Sequence, residues 1–395
     1  MKALAPAVVI GLGNLVGLQT ARKLAGNGVP VIGIGDHPGQ PFARTRVCEK
    51  IVYADTTGPD LIEALEKLGP ELGQKAVLYP CDDITVLAVS EARTALASWY
   101  HIVLPPHEVL QILMDKVTFQ KWAAEQGLPI PESRSVTSRA DAELAGSELE
   151  FPVVLKPDMR GQRWFDHTSE KAIICASPDT LAETFDRVSA WADAFTIQEW
   201  IPGGEESLFS CNAYFGSDGR PLATFVARKV RQWPPRTGRS SLGVEARNDV
   251  VLDTTLDLFQ KAGMRGLGYL EMKRHAVTGR HLIIEPNVGR PTGRSAISEA
   301  GGVKLIYTMY CDALGLPLPA ERVQTYGNAK WIYWRWDLQS AFSDWRRGDL
   351  SIRDWFESIR GPKIDAVFSW RDPGPFLADI SQTIRRRAGD SSERQ

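Results

Sequence analysis

Residues 269–293 read YLEMKRHAVTGRHLIIEPNVGRPTG, two apolar segments joined by a short polar turn, with Glu271 on the first and Glu285, Asn287 and Arg290 on the second. The two glutamates are symmetric about Thr278. If the turn leaves an odd number of residues in the loop, Glu271 stands directly opposite Glu285 in an antiparallel pair, and Asn287, two residues on, shares its face. An even loop would put the glutamates on opposite faces. Like charges facing one another across strands cost about 0.2–1 kcal/mol at a wet surface and more when buried. A facing pair therefore calls for compensation. Two carboxylates and an amide oxygen on one face are the hard oxygen set that Mg2+ prefers, with phosphates completing the octahedron. Arg290 would sit just beyond as a phosphate or oxyanion clamp. The plain alternative is an exposed hairpin whose glutamates pair with Lys273, Arg274 and Arg280.

Around this hairpin lies a chain of 395 residues, enough for two or three domains. Its 43% hydrophobic and 24% charged residues and net charge of −2 describe an ordinary globular protein without the basic excess that grips nucleic acid. Cys48, Cys81, Cys175, Cys211 and Cys311 lie far apart, which argues against a zinc site or a disulfide framework and fits a reducing cytoplasm. The start, MKALAPAVVIGLGNLVGLQ, reads as a first strand rather than a signal peptide, and no apolar run reaches the roughly 18 residues of a membrane span.

The first hundred residues alternate strand and helix signals: AVVIGLG, NLVGLQTARKLAGNG, VPVIGIGD, DLIEALEKLGPELG, KAVLYP, ITVLAVSEARTALASWY and IVLP. That pattern predicts a doubly wound domain with a parallel sheet over residues 1–106. A helical stretch around EVLQILMDKVTFQKWAAEQG follows, then a mixed α+β body that includes FPVVLKPD, FTIQEW and a hairpin turned at Ser217 to Gly219. The last segment, 321–395, is rich in Trp (331, 334, 336, 345, 355) mixed with Arg, and its charged end, RRRAGDSSERQ, reads as frayed. Such a segment can lie on a membrane surface or bind a partner; simple packing on the body is the stronger expectation.

Gly11, Gly13 and Gly17 follow a strand and open a helix, as a dinucleotide fingerprint would, with Asp36 as the ribose candidate. The spacing is G-x-G-x-x-x-G, and the competing reading is a tight turn with close helix packing. Lys156 stands at the exit of an apolar strand, where a charge can meet a phosphate, and Lys116 follows Asp115. The stretch QEWIPGGEES offers a hinge whose backbone could face a purine, with Glu199 alongside and Glu205 or Glu206 reaching a ribose hydroxyl; its bland reading is a Pro-Gly turn. RKVRQWPPRTGR crowds Arg228, Lys229, Arg231, Arg236 and Arg239 together, either to bind a substrate carboxylate or phosphate through Lys229 and Arg231 or as a solvated basic loop.

Taken in order, DK (Asp115, Lys116), FPVVLKP, QEWIPGGEE, EMK and EPNVGR resemble the ATP-grasp superfamily, and within it the carboxylate-amine ligases of the D-aspartate ligase type. The resemblance runs from residue 7 to about 315 and rests on the order and separation of motifs that are each weak alone. It implies an N-terminal Rossmann-like domain (1–106) that has lost dinucleotide binding and lines the acceptor side. An ATP-grasp domain (107–320) with a mobile lid at about 133–200 and a C-terminal extension (321–395) would follow.

The resemblance further implies that Lys116 and Lys156 contact ATP phosphates, and that Glu199 with the Trp200 and Ile201 backbone holds adenine. Glu205 or Glu206 would take the ribose, Glu271, Glu285 and Asn287 the Mg2+ (or Mn2+), and Arg290 the transferred phosphoryl group. Two departures stand out. The loop PDMRGQRWFDHTSEK after Lys156 has a single glycine, so Arg160, Arg163 or Lys171 would cover the phosphates. EPNVGR is one residue longer before its arginine than the commoner form.

The implied activity joins a small-molecule carboxylate, such as an amino acid, to an amine acceptor through an acyl phosphate, releasing ADP and phosphate. Such chemistry needs charge neutralisation rather than a Ser-His pair. Related ligases often pair, which makes a homodimer compatible. Two other classes remain: an NAD-dependent oxidoreductase using the N-terminal glycines, and an ATP-binding module without turnover.

Overall fold

The structure, a computed structural model, describes residues 4–158, 161–168, 170, 172–235 and 238–392, with side chains up to residue 384. Its first unit comprises β1 (Ala7–Ile10), α1 (Leu15–Gly26), β2 (Val31–Gly35), β3 (Lys50–Tyr53), α2 (Asp60–Leu68), β4 (Ala76–Pro80), α3 (Asp83–Glu91), α4 (Arg93–Leu96) and β5 (Tyr100–His101). The strands pair in parallel in the order β3-β2-β1-β4-β5. β1 and β4 are buried on both faces, which is why they read as continuous apolar runs. Strand order reverses between β1 and β4, and the crevice beyond their carboxyl ends carries Gly11–Asn14 and Cys81–Asp83. The edge strand β3 is absent from the sequence expectation, because its KIVY run exposes Lys50 and Tyr53 and carries little apolar signal.

Two helices follow, α5 (His107–Met114) and α6 (Lys116–Glu125). What reads as one helical stretch breaks at Asp115, whose ψ of 123° leaves the helical region and whose side chain caps α6 by accepting from Thr118 N at 2.8 Å. Then come β6 (Ser133–Val136), α7 (Arg139–Glu148), β7 (Val153–Pro157), α8 (Gln162–Phe165), β8 (Ile173–Cys175), α9 (Pro178–Val188) and β9 (Phe195–Glu199). They form a four-stranded antiparallel sheet, β6-β9-β7-β8, with a core of its own around Val153, Leu155, Trp164, Phe185 and Phe195.

The largest sheet contains β10 (Leu208–Phe215), β11 (Pro221–Trp233), β12 (Arg239–Glu245), β13 (Gly266–Arg274) and β14 (His281–Val288), with α10 (Asp249–Lys261) between β12 and β13. The β10–β11 hairpin turns where the sequence places it, closed by Gly216 N donating to Arg220 O at 2.9 Å. α11 (Ser295–Ala300), α12 (Leu305–Ala313), β15 (Lys330–Ile332), α13 (Trp334–Arg347), α14 (Ile352–Ile359), β16 (Lys363–Asp365) and α15 (Gly374–Ser392) complete the chain. β15 and β16 extend the sheet to seven strands in the order β14-β13-β10-β11-β12-β15-β16.

One hydrophobic cluster runs from Val8 and Ile34 of the first sheet to Leu270, Met272 and Ile283 of the largest, so these two units share a core, unlike the four-stranded sheet. The Trp-rich segment packs on the body: Trp331 is buried, the Trp336 ring lies tilted against Tyr333 with centroids 4.5 Å apart, and Trp355 Nε1 donates to Asp337 at 3.0 Å. Arg22 of α1 clasps this segment through Asp372 at 2.9 Å. The end that reads as frayed is helical through Ser392. No helix among the described residues is long and apolar enough to cross a membrane.

Candidate active site

The turn between β13 and β14 leaves an even loop, since Arg274 pairs with His281, yet Glu271 still faces Glu285. The register shifts between Glu271 and Met272: Met272 pairs with Ile283, and Ile284 is the extra residue of a β-bulge. One bulged residue offsets one loop residue, and the pairing survives. Tyr269 faces Asn287, so Tyr269, Glu271, Glu285 and Asn287 share a face. On the neighbouring strand Ser210 faces Glu271 and Asn212 faces Tyr269. The reverse face carries Leu270, Met272, Ile283 and Val288 into the core. Slipping β13 by one residue would turn Leu270 and Met272 outward, at about 1.5–3 kcal/mol per large side chain.

Glu271 is largely buried and meets two cations. Arg294 Nη2 donates to its Oε2, and Lys229 Nζ lies 3.7 Å from its Oε1. Tyr269 Oη also donates to Oε2, at 3.1 Å, and the Arg294 guanidinium lies over the Tyr269 ring, 5.1 Å from its centroid. Burial pulls the pKa of Lys229 down, and the Glu271 carboxylate pushes back. Burial likewise lowers that of Arg294, whose guanidinium stays charged at neutral pH. Arg294 is the residue that sequence reasoning misses; a second arginine in the Gly- and Pro-containing loop four residues after Arg290 is the signal available for it.

Arg290 joins β14 to the first unit. Its Nε donates to Asp83 Oδ1 at 2.6 Å, and its Nη2 donates both to Asp83 Oδ2 at 3.1 Å and to Asn287 Oδ1 at 2.6 Å. Lys156, at the end of β7, donates to Gln198 Oε1 at 2.8 Å. Burial, then the Lys116 charge, push its pKa down to about 8, while Glu285 raises it. Lys156 on β7 therefore senses both Lys116 from α6 and Glu285 from β14.

The hinge after β9 is held by Trp200 N donating to Pro152 O at 3.0 Å, and Lys273 Nζ sits 4.5 Å above the Trp200 ring. Ile201 is buried, and Glu199 Oε2 accepts from Glu132 N at 3.3 Å. Glu205 and Glu206 occupy a single turn over Glu205–Ser207; the charge of Glu205 is felt at Lys229 and that of Glu206 at Lys273.

Two of the named side chains are engaged elsewhere. Arg231 is not brought to Glu271, because the strand irregularity between Lys229 and Arg231 turns it away; its Nε and Nη2 form a fork with buried Asp337 at 2.8 and 3.0 Å. Arg163 pairs at the surface with Asp193 at 2.6 Å. Lys171, with Arg160 and Arg236, lies outside the described residues. The glycines near the N-terminus serve the turn: Gly11 has φ +86°, and a side chain at Gly17 would run into the Gly11 carbonyl. The Gln40 carboxamide fills the space over Gly13 and donates to Asp36 Oδ2 at 2.6 Å, while Thr56 Oγ1 donates to Asp36 Oδ1 at 2.6 Å. A dinucleotide would have to displace all of these.

The donor set on β13 and β14 fits Mg2+ by chemistry. It offers two facing carboxylates and an amide oxygen, Glu285 being exposed and Asn287 half-buried.

No family profile matches the chain. A D-aspartate ligase from Enterococcus faecium (strain Aus0004) is 22% identical to it over 255 residues, covering 60% of this chain. The match spans 59% of that ligase, less than two thirds of its length. Among solved structures, the ADP complex of an N5-carboxyaminoimidazole ribonucleotide synthetase matches with a TM-score of 0.63 at 17% identity, covering 82% of this chain and 81% of that one. The biotin carboxylase domain of Hydrogenobacter thermophilus 2-oxoglutarate carboxylase, solved with MgADP, ADP and bicarbonate, matches with a TM-score of 0.62 at 14% identity, covering 82% and 72%. The chain has the ATP-grasp fold, and the sequence resemblance to a carboxylate-amine ligase of the D-aspartate ligase type stands.

Proposed function

We propose that this chain is an ATP-dependent carboxylate-amine ligase that forms an amide through an acyl phosphate. The observation that carries the reading is the Glu271–Glu285 register, kept by a bulge against the parity of the loop, with Asn287 on the same face. Arg294 and Lys229 offset part of the charge on Glu271, and a cation shared by the two glutamates would offset the rest. Glu271, Glu285 and Asn287 would hold Mg2+, for which Mn2+ with similar oxygen preference would substitute. Bound there, the ion neutralises charge on the outer phosphates of ATP.

The chain's own groups do the rest. Lys116 from α6 and Lys156 from the four-stranded sheet bind phosphate oxygens; Glu199 with the Trp200 and Ile201 backbone holds the base, and Glu205 or Glu206 the ribose. A substrate carboxylate oxygen attacks the γ-phosphorus, the bond to the β–γ bridging oxygen breaks, and ADP departs. Arg290 holds the transferred phosphoryl group, with Asp83 fixing its guanidinium from the first unit. The amine nitrogen then attacks the acyl carbon, the acyl C–O bond breaks, inorganic phosphate leaves and the amine proton passes to solvent. Lys229 and Arg294 neutralise charge around the carboxylate. The four-stranded sheet, with its separate core, is suited to close over the nucleotide as a unit.

The similarity to a D-aspartate ligase makes D-aspartate the first carboxylate to try, paired with amine-bearing acceptors. The test is an ADP-release assay with Mg2+ across L- and D-amino acids and amine acceptors, with mass spectrometry of any amide. Release that requires both a carboxylate and an amine, with the amide detected, is expected. Nicotinamide-dependent absorbance change without ADP release would sink the proposal.

A further inference from the structure

We infer that the face of β10 and β13 beside Glu271 is a carboxylate-binding subsite built from Asn212 Nδ2, Arg294 Nη1 and Ser210 Oγ. This inference deepens the ligase reading, and rests on it for the identity of the carboxylate as the group to be activated. All three atoms are buried and lack a hydrogen-bond partner among the described residues. Asn212 is 1% exposed, Ser210 0% and Arg294 7%. Leaving a buried polar group unsatisfied costs about 1–3 kcal/mol, and more when it is charged. Three on one face of adjacent strands is a cost that a bound acceptor would remove.

The orientation of the Asn212 amide follows from its neighbours. Ser295 Oγ accepts from Thr292 N at 2.9 Å, which turns its hydrogen toward Asn212 Oδ1 at 3.2 Å. Thr292 Oγ1 donates to the same oxygen at 3.4 Å. Oδ1 is thus committed, and Nδ2 is left with its hydrogens and no acceptor. Thr292 and Ser295 flank Arg294, and the Arg294 guanidinium stacks on Tyr269, the cross-strand partner of Asn212. The loop therefore brings amide and guanidinium to one place.

Lys229 and Arg294 converge on Glu271, and Lys229 also feels the charges of Glu205 and Glu285. A guanidinium edge beside an amide NH2 presents planar N–H donors, which suit the two coplanar oxygens of a carboxylate better than a tetrahedral phosphate.

The test uses the full chain and [13C]acetate as probe, read by line broadening and chemical shift in NMR, with inorganic phosphate as competitor. Wild type is expected to bind acetate. Asn212→Asp, which keeps Oδ1 and the side-chain shape but removes the NH2, and Arg294→Gln should each weaken binding by about tenfold or more. Lys67→Ala, in the first unit, should leave it unchanged. No acetate binding by wild type, unaltered binding in both site variants, or displacement by phosphate at lower concentration than acetate each overturns the subsite. If Arg294→Gln does not fold by circular dichroism, Asn212→Asp decides alone. Acetate binding as expected, together with ADP release that no amino acid stimulates, would instead remove the ligase reading and leave the subsite standing.

Discussion

Two buried arginines face two carboxylates in this molecule, and they differ in how completely they are satisfied. Arg231 is closed on every side: its fork takes both Asp337 oxygens, Nη1 donates to Ser358 Oγ at 2.8 Å, and Trp355 donates to the same carboxylate at 3.0 Å. The Arg294 bond to Glu271 leaves Nη1 without a partner and shares the carboxylate with Lys229 and Tyr269. Both guanidiniums are nearly out of solvent, with side-chain exposures of 5% and 8%. Burial therefore does not separate them; satisfaction does. A closed fork fastens the C-terminal segment to the sheet, whereas an open one is a place where something else can bind.

The contrast can be broken most severely at Asp337. Asp337→Ala strands Arg231 in the interior and should cost about 3–5 kcal/mol in urea unfolding. A loss under about 1 kcal/mol would mean that the fork fastens nothing. Glu271→Gln should cost less, about 1–3 kcal/mol, because the amide keeps an oxygen for Arg294. The same variant should weaken Mg2+-dependent ATP binding by about tenfold or more in calorimetry, since a proposed metal ligand is lost. If its unfolding matched that of Asp337→Ala while nucleotide binding held, the open pair would be structural after all.

The third expectation sharpens the electrostatic side. Burial and the Lys116 charge hold the Lys156 pKa down at about 8. Its ammonium is therefore present below that pH and lost above it, whereas an exposed lysine keeps its charge to about 10.4. ATP affinity should fall as pH rises through about 8, and Lys156→Met should flatten this profile. The sign for folding is opposite. The folded state binds this proton less tightly than the unfolded chain, so the penalty is full below about pH 8 and is relieved between there and about 10.4. The smallest effect belongs to the surface pair Lys50–Glu71, at 2.6 Å with both side chains more than half exposed. Lys50→Ala should shift stability by about 0–1 kcal/mol, less at high salt.

The sequence made the parallel sheet, the β10–β11 turn and the facing glutamates legible, because apolar periodicity and turn residues carry local information. The glutamate pairing was conditional on loop parity, and the parity is the wrong one. Ile284 repairs it, and no residue type announces a bulge at an isoleucine. Arg231 illustrates the same limit: two residues beyond Lys229 it should share that residue's face, but an irregularity in β11 sends it to Asp337, more than a hundred positions away. Arg294 depends on a loop returning over the sheet, a non-local fact. β3 escaped because an edge strand needs no second apolar face.

The extra residue at Ile284 lies between the hairpin tip and Glu285, so the tip and the acidic pair are uncoupled in length. The tip is exposed at Val277, and its neighbour Ala276 is tethered to Pro202 O at 2.9 Å. A reporter dye placed on a cysteine at position 277 would ride beside the hinge without disturbing the acidic pair. A change in its emission on adding ATP would then report movement at the hinge.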